Sequence, residues 1–171
     1  SPHHSVSMAA MVGGGSSHIR PGELSLASHG VLFLDEMGEF APTVLDALRQ
    51  PLEEGVVSIA RAHSSVTMPA KCLLVAATNP CPCGAGTPTR CHCTLHAKQR
   101  YLRRFSGPLL DRFDIRMHLV KPSTTDLTSD VPGESSAVVA QRVARVHRIS
   151  LERQGCLNSA ISAEHLDDVA P

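Results

Sequence analysis

Val31-Leu32-Phe33-Leu34 is an unbroken apolar run that closes on two acids, Asp35 and Glu36. A strand with one wet face alternates apolar and polar residues. An unbroken run this short predicts instead a strand buried on both faces of a parallel sheet. Cys72-Leu73-Leu74-Val75-Ala76-Ala77 repeats the pattern and closes on Thr78-Asn79-Pro80. Between the two runs, Val44, Leu45, Leu48 and Leu52 recur at helical spacing after Pro42, which suits a first helical turn. Gly55 is a natural stop, and Pro51 is expected to kink or shorten the last turn. Strands separated by helices point to an α/β sheet, whose ligands bind at the carboxyl ends of the strands. Asp35, Glu36 and Asn79 fall there.

The rest of the chain is less constrained. The first 29 residues are rich in Gly, Ser and His and read as loops around short strands, with little contribution to the core. Val56-Val57-Ser58-Ile59 and Ser65-Val66-Thr67-Met68 read as a hairpin around a polar turn. Residues 95–105 predict a basic helix and residues 115–120 a third strand. Pro, Ser, Thr, Asp and Gly dominate residues 121–134, which marks a linker. Residues 135–154 predict a long helix ended by Gly155, and Ser162 a further helix start. The resulting division is a core at 1–122, a linker at 123–134 and the start of a helical unit at 135–171. Aromatic residues make up only 3% of the chain, with no Trp, so Leu, Val, Ala and Ile must fill the core. Sixteen basic and sixteen acidic side chains cancel, so net charge neither favours nor excludes nucleic acid. No apolar stretch reaches the ~18 residues of a membrane span, and Ser1-Pro2-His3-His4 does not resemble a signal peptide. A soluble, cytoplasmic protein without membrane contact is the expectation.

Three segments carry candidate chemistry. The run into Asp35-Glu36 has the form of a Walker B motif, in which Asp35 holds the Mg²⁺ of a nucleotide and Glu36 polarises the attacking water. A strand running into an acidic turn would look the same. Asn79 at the second strand end suits a sensor 1 amide, which hydrogen-bonds water and γ-phosphate; Asn79-Pro80 also suits a plain turn. In Gly107-Pro108-Leu109-Leu110-Asp111-Arg112-Phe113-Asp114, Arg112 suits an arginine finger reaching a neighbour's phosphates. The alternative is a structural Arg112 paired with Asp111 or Asp114. Order and spacing of all three favour the functional reading.

Together with PHH at residues 2–4, VGGGS at 12–16, RPGELSLASHGVLFLDE at 20–36, LRQPLEEG at 48–55, AATNPCPCG at 76–84 and SGPLLDRFD at 106–114, the chain resembles the magnesium-chelatase-like AAA+ ATPases. Within them it is similar to the competence-related ComM/YifB branch, from residue 2 to about residue 165. The resemblance implies a partial P-loop-type parallel sheet, running from Walker B to the arginine finger, followed by the start of a helical lid. It implies ATP and Mg²⁺ as cofactors and a homo-oligomeric, hexameric ring that acts on DNA as a branch-migration helicase. It also implies two hairpins aimed at the central pore. A P-loop needs Gly-x-x-x-x-Gly-Lys-Ser/Thr, and Lys71, Lys98 and Lys121 follow Ala, Ala and Val. Walker A is therefore expected upstream of Ser1 and the sensor 2 arginine beyond Pro171, leaving these residues inactive as an ATPase by themselves. Two other functions compete: the ATPase subunit that drives magnesium insertion into a porphyrin, and a non-enzymatic zinc-bearing interaction domain.

Four of the six cysteines, Cys81, Cys83, Cys91 and Cys93, crowd into thirteen positions as C-x-C pairs with a seven-residue spacer. In a reducing compartment such crowding favours metal over disulfide, and four thiolates make a tetrahedral Zn²⁺ set. The C-x-C spacing is tight, so His92 or His96 replacing a ligand remains open, as do free thiols or disulfides. Arg100, Arg103 and Arg104 beside Tyr101 suit either phosphate contacts or a solvated helix face. Arg142, Arg145 and Arg148 form a stripe that suits an exposed face or a subunit contact. His3 and His4 carry no role beyond the resemblance.

Overall fold

The two apolar runs fold as a pair of strands, Val31–Leu34 and Leu73–Ala76. The computed structural model describes residues 1–15, 18–61, 64–85, 90–128 and 133–169. Its chain divides into two compact units, Ser1–Met117 and His118–Pro171. In order, the first unit holds α1 (Met8–Val12), β1 (Gly13–Gly14), β2 (Arg20–Pro21), α2 (Glu23–Leu26), β3 (Val31–Leu34), a 3₁₀ turn (Met37–Glu39), α3 (Pro42–Ala47), α4 (Arg49–Glu54), β4 (Val56–Arg61), β5 (Ser64–Pro69), β6 (Leu73–Ala76), α5 (Leu95–Leu102) and α6 (Gly107–Leu110). The second unit holds α7 (Thr124–Leu127), α8 (Ser136–Gln154), two 3₁₀ turns and α9 (Leu166–Val169).

β3 and β6 pair in parallel, Val31 opposite Leu73 through Leu34 opposite Ala76. The chain is thus mixed α/β with a small parallel sheet. Burial on both faces does not hold: Leu32 and Leu34 are buried, while Val31, Phe33, Leu73 and Val75 are exposed. The reason is layering. Helices and the β4 strand, through Val57, supply a core for one face, and among the described residues no layer covers the other. A continuous apolar run specifies that both faces favour cover, not that both receive it.

Helical spacing at 42–54 yields two helices rather than one. Pro51 lacks an N–H, and its ring clashes with the carbonyl four residues back, so the chain breaks at Leu48 between α3 and α4. Gly55 closes α4 in the left-handed region at φ 70°. β4 and β5 form the expected hairpin, Val56 opposite Pro69 through Arg61 opposite Ser64. Its turn, residues 62–63, lies outside the described residues.

The first 29 residues contribute more than expected. They contain α1 and α2 as well as the short antiparallel pair β1–β2, and Met11 and Leu24 are fully buried. Both join Leu34, Phe40, Leu45 and Leu48 in one core. Gly13 (φ 110°) lets the two hairpins meet, since a Cβ there would stand 3.0 Å from both the Arg20 carbonyl oxygen and Ile59 Cδ1. Ser16 of the glycine-rich motif lies outside the described residues.

Residues 115–120 form no strand, and Ile115, Met117, Leu119 and Val120 are 79–83% exposed. Strand-type composition forms a strand only where another strand's backbone groups are within reach, and none of the described strands pairs with these residues. In the second unit α8 forms as its sequence predicts. Ser135 Oγ accepts from the Val138 N–H at 3.4 Å, and Gly155 closes the helix at φ 72°. The segment read as a linker contains α7, and its residues 129–132 lie outside the described set. Glu134 accepts two hydrogen bonds from Arg142, at 2.6 and 3.0 Å, so that member of the arginine stripe is paired within its own unit. No helix among the described residues is long and apolar enough to cross a membrane.

Met11→Ala tests whether the amino-terminal segment belongs to the core. Truncating a fully buried Met costs about 2–5 kcal/mol, so urea unfolding of the intact protein should show a clearly lower midpoint. An unchanged midpoint would mean that α1 packs without contributing.

Candidate active site

Parallel pairing brings the sequence-predicted groups of the two strands to one edge. The Ala77 N–H donates to the Leu34 carbonyl at 2.9 Å, and the Met37 N–H donates to the Ala77 carbonyl at 2.8 Å. These bonds continue the ladder past both strand ends and fix Asp35-Glu36 beside Thr78-Asn79, all four exposed. Glu36 occupies the left-handed region (φ 50°, ψ 43°), and its N–H donates to Asp35 Oδ1 at 2.9 Å. A non-glycine residue there carries strain of order 1 kcal/mol. His4 Nδ1 lies 3.7 Å from Glu36 Oε2, and the His3 and His4 rings stand 4.1 Å apart. The histidine pair therefore abuts the acid turn, which nothing in the local sequence signalled.

A brace from α5 supports this edge. Thr94 caps the helix, its Oγ1 accepting from the Ala97 N–H at 3.2 Å. Tyr101 is buried, with its ring edge-on to Phe105 at 5.6 Å and its hydroxyl 2.9 Å from Thr78 Oγ1. The ring packs so closely on the acid turn that a Cβ on Gly38 would come within 2.0 Å of the Tyr101 oxygen. Arg104 donates to the Gly38 carbonyl and stands 3.6 Å from Glu39. Arg104 thus holds the turn. Arg100 Nη2 lies 3.2 Å from His96 Nδ1, so the basic cluster is partly spent on contacts within the chain.

Arg112 follows α6, and its recorded partner is the Glu53 carboxylate at the end of α4, not Asp111 or Asp114. Asp111 faces Arg116 instead, at 3.8 Å. Arg112 stays partly exposed, and no recorded bond among the described residues joins it to Asp35, Glu36 or Asn79.

The cysteines converge. The sulfur of Cys81 lies 3.3 Å from that of Cys83 and 3.5 Å from that of Cys91, and Cys83 and Cys91 are 3.7 Å apart. The Cys93 sulfur completes a group whose members all lie within 4.8 Å of one another. A backbone hydrogen bond from Cys93, ahead of smaller sulfur contacts, holds the Cys91 thiol below its ordinary range. Burial pushes the isolated Cys72 thiol up, against an opposing backbone hydrogen bond from Leu32. Residues 86–89 of the cysteine loop lie outside the described set.

Donor chemistry separates the two clusters. Asp35, Glu36 and Asn79 offer oxygen donors, which suit a hard cation such as Mg²⁺; the four sulfurs suit a soft one. The family model for magnesium chelatase, subunit ChlI, matches residues 1–127. The chain belongs to that family. It is 48% identical over 168 residues to competence protein ComM of Haemophilus influenzae and 47% identical over 167 residues to protein YifB of Escherichia coli. Each alignment covers 97% of the chain but 33% of the relative, so the chain spans about a third of their length. A more distant relative is the DNA replication licensing factor mcm6 of Dictyostelium discoideum, 27% identical over 152 residues, 89% of the chain and 15% of that protein. The chain is thus ComM/YifB-like and magnesium-chelatase-like, with a mixed α/β fold that fits part of an AAA+ module.

Gly38→Ala tests the brace. The added methyl overlaps the Tyr101 hydroxyl, and overpacking of this kind costs about 1–3 kcal/mol. Thermal unfolding of the intact protein should show the loss, and Gly38→Ala combined with Tyr101→Ala should not add the two single penalties.

Proposed function

We propose that the chain carries the Walker B, sensor 1 and arginine-finger portion of an ATP-driven AAA+ motor that acts on DNA as an oligomeric, hexameric ring, as a branch-migration helicase would. The observation that carries the reading is the shared strand edge, where two acids and an amide meet at the carboxyl ends of parallel strands. Mg²⁺-nucleotide would supply the phosphoanhydride to be cleaved, with Asp35 holding the cation. Asp35 is oriented for this by the Glu36 N–H on its Oδ1. Glu36 takes a proton from water as general base, with His4 3.7 Å from its carboxylate. Asn79 hydrogen-bonds water and phosphate from the adjoining strand. No stretch of these 171 residues has the P-loop pattern, so hydrolysis is proposed for the intact protein. Residues 1–122 then serve as part of the ATPase core, 123–134 as linker and 135–171 as the start of the lid.

DNA contact is assigned to the two hairpins, β1–β2 and β4–β5. They meet at Gly13 and Ile59, and each carries an exposed arginine, Arg20 and Arg61, suited to backbone phosphates. The name of the DNA replication licensing factor relative agrees with work on DNA. The four sulfurs suit Zn²⁺ as a second, structural metal.

ATPase assays of the intact protein with single-stranded and branched DNA test the reading. Turnover stimulated by DNA is expected, and turnover indifferent to any DNA would refute the DNA-directed part. Glu36→Gln should retain nucleotide binding and lower turnover by about 10²–10⁴. Near-normal hydrolysis in that variant would remove Glu36 from the mechanism.

Arg112 is assigned to the neighbouring subunit's phosphates. Arg112→Ala should abolish turnover while each protomer still binds ATP. Mixing it with Glu36→Gln should restore part of the activity, because some interfaces in mixed rings then carry both groups. If no mixing ratio restores activity, despite demonstrated subunit exchange, the assignment in trans fails.

A further inference from the structure

Residues around the cysteine cluster have little else to order them. Residues 80–85 and 90–94 contain no helix or strand, and among the described ones only Cys81 is fully buried. A segment this poor in buried apolar surface does not fix its own shape, yet four sulfurs converge in it. Three of the sulfur separations are 3.3, 3.5 and 3.7 Å. The edge of a tetrahedron with Zn–S bonds of about 2.3 Å is about 3.8 Å, whereas a disulfide needs about 2.05 Å. The spacing matches metal ligation and not a covalent bond. His96 is not needed as a ligand, since the four sulfurs complete a tetrahedral set.

We infer that Cys81, Cys83, Cys91 and Cys93 bind one Zn²⁺, and that this metal clips the end of β6 to the start of α5 so as to position Asn79. Cys81 lies two residues beyond Asn79, and Cys93 immediately precedes Thr94, the cap of α5. The metal therefore closes a ring with the 2.9 Å hydrogen bond between Thr78 and Tyr101 on its far side. Within that ring Gly84 faces Asn79, whose carboxamide atoms lie 3.7–3.8 Å from where a Gly84 Cβ would stand. With the clip in place the Asn79 side chain is backed by the loop; without it, among the described residues, the strand end is left to the Thr78–Tyr101 hydrogen bond with the helix. The positioning half rests on the reading of Asn79 as the amide of the ATPase site, and the metal half does not.

The test uses the intact, untagged protein purified under reducing conditions. Elemental analysis should find about one zinc per chain, and Co²⁺ exchanged into the site should give the intense visible bands of a tetrahedral tetrathiolate centre. Cys83→Ser with Cys91→Ser should lose the zinc, whereas Cys72→Ser with Cys156→Ser should keep it. Freshly reduced protein without zinc, or zinc retained in the Cys83/Cys91 variant, would overturn the site. Hydrogen exchange then reads the clip: stripping zinc should speed exchange of the amides at 77–81 about tenfold or more, leaving those of β4 unchanged. Unchanged exchange at 77–81 would overturn the positioning role while leaving the metal in place. Because zinc content and exchange are read without ATP, neither result depends on whether the protein proves to be a DNA-stimulated ATPase.

Discussion

Parallel pairing of β3 with β6 is the constraint on which the candidate site depends. Glu36 and Asn79 are 43 positions apart, and only strand direction decides whether they meet. In parallel register both strands run out at one edge, Leu34 beside Ala76. Antiparallel pairing of the same four-residue strands would separate the two groups by about 13 Å, at about 3.3 Å per residue. The Ala77–Leu34 and Met37–Ala77 hydrogen bonds extend this order one residue beyond β6 and three beyond β3, across the stretch of the proposed chemistry.

An edge made of exposed residues has little packing of its own, and α5 supplies it. Tyr101, the one tyrosine of the chain, buries its ring against Phe105 and under Gly38, while its hydroxyl meets Thr78. Burying a phenol without a partner would cost about 1–3 kcal/mol; the Thr78 hydroxyl offsets that cost and aligns the strand end. Arg104 adds a charged hydrogen bond to the same turn. One short helix therefore sets both halves of the edge, the acid turn through Gly38 and Glu39 and the amide through Thr78.

How much of this was legible in the sequence depends on how far each signal reaches along the chain. β3, β6, the β4–β5 hairpin and α8 with its Ser135 and Gly155 caps follow from patterns that are complete within a few residues. The cysteine cluster was legible for the same reason. α1 was not, because five residues carry too little periodicity to distinguish a helix from a loop, so the burial of Met11 went unread. The strand expected at 115–120 had the right composition and lacked a partner, which no local pattern reports. Likewise the roles of His4 and Arg104 depend on contacts 32 and 66 residues away, with Glu36 and Gly38 respectively. Local sequence thus specified the elements and the acids, and distant packing specified which neighbours hold them.

The pairing of Arg112 with Glu53 bears on how the arginine proposed as a finger is kept available. An arginine meant for another subunit's phosphates has to stay soluble and extended while it has no phosphate to meet. A fully buried ion pair would hold it too firmly, since breaking such a pair leaves an uncompensated charge at a cost of about 3–5 kcal/mol. Arg112 and Glu53 instead have side chains 36% and 61% exposed, and exposed pairs contribute only about 0.2–1 kcal/mol. Glu53 sits at the end of α4, the helix that Gly55 closes before the β4–β5 hairpin begins. The same short connection therefore bears the carboxylate that parks the arginine and the strand that leads to the proposed DNA-facing turn.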